Sequence, residues 1–199
     1  MQNLQGIIFD MDGTLVDSGL DFDAMRREME LPPEQPILEA IAQLPHAQQA
    51  RCHAVLHRHE LAGARRATLL PGVAELYSLL DGHNIPVGIV TRNSREISLA
   101  TLDKLRIRCD VLITRDDGPI KPDPWPVRNI CELWSATPER VVMIGDYKFD
   151  VLSGRGAGTR TVLLTGEVAP AEYPNEEQAD LLLRSLAEHH LLLAWLESI

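Results

Sequence analysis

The chain has 199 residues, 45% of them hydrophobic and 24% charged, ordinary values for one medium globular protein that can bury its own core. A formal net charge of −10 is the wrong sign for nucleic acid or an anionic membrane surface, so neither is expected as a partner. Cys52, Cys109 and Cys131 form an odd set without C-x-x-C spacing, which fits a reducing, cytoplasmic compartment better than a disulfide framework.

The first residues lack the cationic and apolar regions of a signal peptide, and no apolar run approaches membrane-spanning length, so a soluble, unprocessed chain is expected. Residues 6–9 read as a buried strand that runs into Asp10-Met11-Asp12-Gly13-Thr14. From about residue 17 to 70 the pattern looks wholly helical and is too long for a single crossover. Leu20, Phe22, Met25 and Met29 start it, a second helix over 37–44 follows Pro36, and a third runs from about 47 to 67. This stretch is expected to be a helical cap, residues 17–70, with residues 1–16 and 71–199 forming the core.

Pro71 and Gly72 then precede a helix carrying Val73, Leu76, Leu79 and Leu80, with Gly82 as its stop. A strand over 87–91 leads to a helix opened by Ser94, or by Asn93 with Glu96 as a capping-box variant. After a strand over 111–114, Asp123 is the expected N-cap and Pro124 the first residue of a helix that places Val127, Ile130, Leu133 and Trp134 on one face. A strand over 141–144 follows, then a glycine-rich helix end at 154–158 and a strand over 161–164. The tail reads as an edge strand over 181–183 and a helix from Ser185 to about Leu196. Short β-branched runs alternating with helical segments predict a parallel, Rossmann-like α/β sheet.

Ligands of such sheets bind at the carboxyl ends of the strands. Four polar clusters fall there: Asp10 and Asp12, whose spacing puts both side chains on one side of an extended backbone; Thr91 with Arg92 and Asn93; Lys121; and Asp146 with Asp150. Four converging carboxylates repel one another unless a divalent cation holds them ionised, and oxygen donors without histidine or cysteine favour Mg2+. A lysine and a threonine beside that metal suit a phosphate, and an aspartate is a nucleophile able to form an acyl phosphate. Phosphoryl transfer uses all of these parts.

Asp10-Met11-Asp12-Gly13-Thr14, Thr91, Lys121-Pro122-Asp123 and Gly145-Asp146-x-x-x-Asp150 together resemble the four motifs of the haloacid dehalogenase superfamily, in order, over residues 6 to about 165. The helical stretch resembles the α-helical caps of its phosphoglycolate phosphatase-like members. The resemblance implies a magnesium-dependent phosphatase of small phosphorylated metabolites. Asp10 would attack phosphorus, and Asp12 would protonate the leaving group and then deprotonate water. Thr91 and Lys121 would hold the phosphoryl group, with Arg92 and Asn93 beside them. Metal would bind at Asp10, the Asp12 carbonyl, Asp146 and Asp150, while Gly13 and Thr14 would shape and brace the turn.

Other readings use part of this pattern. A sugar-phosphate mutase carries the same four motifs, and a non-catalytic phosphate-binding relative would share the fold. A receiver domain places its phosphorylated aspartate on a later strand, and dehalogenation needs no second acid such as Asp12. His53 and His57, four apart on one helix, lack a third metal ligand, and Arg51, Arg58, Arg65 and Arg66 read as a solvated basic face or as contacts to an anionic substrate. Neither the substrate nor the oligomeric state is written in these motifs.

Overall fold

The apolar runs pair side by side. In the computed structural model, which describes residues 3–33, 35–170 and 179–198, the chain passes from β1 (Gly6–Phe9) through β2 (Val16–Asp17) to three helices, α1 (Phe22–Glu28), α2 (Ile37–Ala42) and α3 (His46–Arg66). It returns through β3 (Thr68–Leu69) to α4 (Val73–Gly82), β4 (Val87–Val90), α5 (Arg95–Leu105), β5 (Val111–Ile113) and α6 (Trp125–Leu133). It ends with β6 (Val141–Gly145), α7 (Lys148–Ala157), β7 (Arg160–Leu164), β8 (Leu181–Leu183) and α8 (His189–Ser198).

Six strands form a parallel sheet in the order β5-β4-β1-β6-β7-β8, an α/β architecture of the expected Rossmann-like class. β1 is central, and Ile7, Ile8 and Phe9 are wholly buried, which is why that strand reads as an unbroken apolar run rather than an alternating one. From β1 the chain builds outward to β4 and β5 on one side and to β6, β7 and β8 on the other. The strand order therefore reverses at β1, and the carboxyl ends of β4, β1 and β6 meet at this switch point.

Beneath them α6 packs Val127, Ile130 and Cys131 against Ile8, Val90, Ile113 and Met143, with Trp134 at the edge of the cluster. Burying each such side chain is worth roughly 1.5–3 kcal/mol. Leu133 departs from the expected face and is 63% exposed, because six residues from Val127 is not a whole number of helical turns, whereas Cys131 completes the stripe. Pro124, not Asp123, is the N-cap of α6, and the Asp123 carboxylate instead accepts from Trp125 N–H at 2.8 Å. Ser94 caps α5 by accepting from Ile97 N–H, so the alternative with Asn93 is not used. Gly82 is the last residue of α4 rather than its left-handed stop, a conformation taken by Asn84 at φ 53°. The tail helix is preceded by a 3-10 turn over Leu186–Glu188, which is what Ser185 caps.

Contacts divide the chain into one unit of Met1–Asp17 with Thr68–Ile199 and a second of Ser18–Ala67. The stretch from 17 to 70 is not wholly helical: Val16 pairs with Leu69 and Asp17 with Thr68 in an antiparallel two-strand ribbon at its two ends. Strands of two residues are too short to leave a periodic signal. Within the second unit Met25, Met29, Ile37, Ile41, Cys52, Val55 and Leu56 form an apolar interior, while Phe22 is 50% exposed. Arg51 reaches Glu30, Arg58 pairs with Glu28, and Arg66 donates to the Gly19 carbonyl. No described helix is long and apolar enough to cross a membrane, and Cys52, Cys109 and Cys131 are free thiols.

Candidate active site

The end of β1 is pinned to β6, since Asp10 N–H donates to the Ile144 carbonyl at 2.9 Å. The backbone then turns at once. The Met11 carbonyl accepts from both Leu15 and Val16 N–H, and Gly13 N–H donates to the Val16 carbonyl. Asp12 stands at the opening of this turn, bridged to Val16, and its carboxylate has a different partner from that of Asp10. Gly13 makes the turn possible. Its φ is +78°, and a Cβ there would lie 2.0 Å from an Asp146 carboxylate oxygen. Thr14 is wholly buried and its hydroxyl has no hydrogen-bond partner among the described residues.

The Asp10 carboxylate lies 2.6 Å from Lys121 Nζ, and the same ammonium is 2.6 Å from Asp150. Lys121 and Asp150 are each 2% exposed. Asp150 is held from the other side by Tyr147 N–H, which donates to it at 3.0 Å at the start of α7. Gly145 is needed for this approach, because a Cβ there would stand 2.1 Å from the Asp150 carboxyl carbon. Asp10, Asp146 and Asp150 each offer an oxygen within 4.8 Å of the others, and no other cluster of three such acids, histidines or cysteines occurs among the described residues. His53 and His57 accordingly find no third ligand.

Burial, then the neighbouring Asp10 and Asp150, push the Asp146 carboxyl up to about 8. Asp150 is raised to about 6 by burial, against the opposing pull of Lys121. Burial also works against the Lys121 charge, but Asp10 and Asp150 override it and hold the ammonium above its ordinary value. One buried cation among three carboxylates leaves the cluster short of positive charge. The donor set is all oxygen and the acids are close enough to share one ion, so the residues fit a hard divalent cation.

At the end of β4, Thr91 is 4% exposed, its N–H donates to the Ile113 carbonyl, and its hydroxyl accepts from Asn93 N–H at 3.2 Å. Arg92 donates to the Lys121 carbonyl at 3.0 Å and lies over the Phe149 ring at 4.9 Å. The Asn93 side-chain amide donates to the Asp12 carboxylate at 2.5 Å. Phe149 and Arg115, which donates to the Arg92 carbonyl, were not singled out from the sequence. Their part depends on loops meeting in space, which no spacing rule encodes, although Phe149 lies directly beside Asp150.

The sequence pattern of the haloacid dehalogenase-like hydrolases matches residues 19–164. The chain is 31% identical to an N-acetylmuramic acid 6-phosphate phosphatase of Pseudomonas putida, over 90% of this chain and 92% of that protein. It is 28% identical to a phosphoglycolate phosphatase of Chromobacterium violaceum, over 97% and 98% of the two chains. Among solved structures, a putative beta-phosphoglucomutase of Thermotoga maritima superposes with a TM-score of 0.73 at 23% identity, over 96% of this chain and 99% of that one, a likeness of fold. Sequence pattern, relatives and sheet order agree, and the chain belongs to the haloacid dehalogenase-like hydrolases.

Proposed function

We propose that this hydrolase is a magnesium-dependent phosphatase of small phosphorylated metabolites that works through an aspartyl phosphate on Asp10. The observation that carries the reading is the meeting of Asp10, Lys121, Asp146 and Asp150 at the ends of β1 and β6, with one buried ammonium 2.6 Å from two of the acids. The named activities of the two bacterial relatives, both phosphatases, support the same class. The compact helical unit Ser18–Ala67, entered and left through the β2–β3 ribbon, supports its reading as the cap. Three free thiols support a reducing, cytoplasmic setting.

Asp10, Asp146 and Asp150, with the Asp12 carbonyl, would hold Mg2+, which when bound supplies positive charge that offsets the phosphoryl oxygens. An Asp10 carboxylate oxygen forms a bond to phosphorus as the bond from phosphorus to the leaving oxygen breaks, and Asp12 gives its proton to that oxygen. Water then attacks the same phosphorus, returns a proton to Asp12, and releases inorganic phosphate and the Asp10 carboxylate. Lys121 offsets charge on Asp10 and the transferring group throughout, and the Thr91 hydroxyl orients phosphoryl oxygens.

The test is release of inorganic phosphate from p-nitrophenyl phosphate with and without magnesium, in the native protein and in Asp10→Asn. Turnover that needs magnesium and is lost in the variant is the expected outcome. Equal turnover in Asp10→Asn would overturn the nucleophile assignment.

A further inference from the structure

The position of Asn93 carries a role beyond the phosphate contact expected of the Thr91–Asn93 cluster. Asn93 lies in the turn between β4 and α5, 8% exposed, with its backbone fixed on both sides. Its N–H donates to the Thr91 hydroxyl at 3.2 Å, and its carbonyl accepts from Arg115 N–H at 3.1 Å. From this frame the side-chain Nδ2 reaches Asp12 Oδ2 at 2.5 Å. In this contact the amide nitrogen donates and Oδ2 accepts, an arrangement open to the carboxylate and to a carboxyl group protonated on its other oxygen.

We propose that Asn93 is a positioning residue for the proton transfers of Asp12. An N–H aimed at Oδ2 fixes the plane of the carboxyl group and leaves Oδ1 as the oxygen that carries the proton. The proton then stands at one defined atom instead of being shared between two. As the bond from Asp10 to phosphorus forms, the Oδ1–H bond breaks, the leaving oxygen takes that proton, and its bond to phosphorus breaks. The backbone of Asn93 is already held by these two contacts, so only its side-chain torsions lose freedom when the contact to Asp12 forms. The inference rests on the phosphatase reading, in which Asp12 is the acid and base.

Proton donation matters most when the departing oxygen is strongly basic. A series of substituted phenyl phosphates, from 4-nitro through 4-chloro and unsubstituted to 4-methoxy, varies that basicity at nearly constant shape. The quantity to compare is kcat/KM, which covers the steps through departure of the phenol. In Asn93→Ala the loss should grow along the series and be about tenfold larger for 4-methoxyphenyl than for 4-nitrophenyl phosphate. Asn93→Leu keeps most of the bulk and removes the donor without adding charge, and it should give the same steepened dependence if the alanine variant melts early.

In an Asp12→Ala background, Asn93→Ala should add nothing to the leaving-group dependence. A uniform loss across the series, in variants whose circular dichroism and melting match the native protein, would overturn the positioning role and leave the phosphatase reading standing. A native protein that hydrolyses none of the series in magnesium would overturn both together.

Discussion

The strand ends and the helical unit Ser18–Ala67 place most of their paired charges differently. At the ends of β1 and β6 charge is buried, with Lys121 and Asp150 each 2% exposed and 2.6 Å apart. In the helical unit the cluster around Met25 is apolar and the ion pair of Arg51 and Glu30 lies outside at 71% and 77% side-chain exposure, with Glu60 as a buried exception. A charge taken out of water survives only beside fixed partners, so its neighbours must recur at set places along the chain. A solvated pair makes no such demand. Chemistry can be read from the first kind of region and not from the second.

The sharpest way to break this comparison is to remove the buried cation. Lys121→Met leaves Asp10, Asp146 and Asp150 together without their ammonium, and phosphate release should fall by about 10³-fold. Steady-state kinetics with saturating magnesium would check this, and a variant retaining near-native turnover would remove Lys121 from the mechanism. In the helical unit the large effect should come from an apolar residue. Met25 is wholly buried, and Met25→Ala should cost about 3 kcal/mol of that unit's stability, seen as faster amide exchange within α1 to α3.

The smallest effect should come from the surface pairs. His59, then Arg58, hold the Glu28 carboxyl below its ordinary 4.5. A depressed carboxyl stabilises the fold above its unfolded value, and that contribution fades as pH falls through the folded value. The melting temperature of the native protein should therefore exceed that of Glu28→Gln slightly at pH 6, and the difference should vanish on acidification below 4.5. A difference that grew in acid would show that the pair has been misread.

Much of the sheet was legible because its strands are buried on both faces, so runs such as Ile7-Ile8-Phe9 are apolar without interruption. The polar residues after those runs gave the candidate site, since a parallel sheet brings its strand ends to one edge. The turn after Asp10 is expected at Gly13 and Thr14 from the resemblance, but its hydrogen-bond pattern is not legible in the sequence. It depends on hydrogen bonds from Leu15 and Val16 to one carbonyl, and these send Asp12 to Asn93, 81 positions away. Leu133 lies off the face that its spacing predicts, because a small drift in helical phase over six residues carries it to solvent. Arg92 was expected beside the phosphate. Its contacts to the Lys121 carbonyl and the Phe149 ring arise only once separate loops meet.

The β2–β3 ribbon has an evolutionary consequence. Val16 faces Leu69 and Asp17 faces Thr68, so the chain leaves the sheet-bearing unit and rejoins it at adjacent points. Antiparallel neighbours this near can be bridged by a two-residue hairpin turn. The fifty residues between Asp17 and Thr68 are thus a segment whose two ends can be joined by a short turn without altering the strand order of the six-stranded sheet. Recombination at those two points would rewrite one segment while leaving Asp10, Lys121, Asp146 and Asp150 as they are.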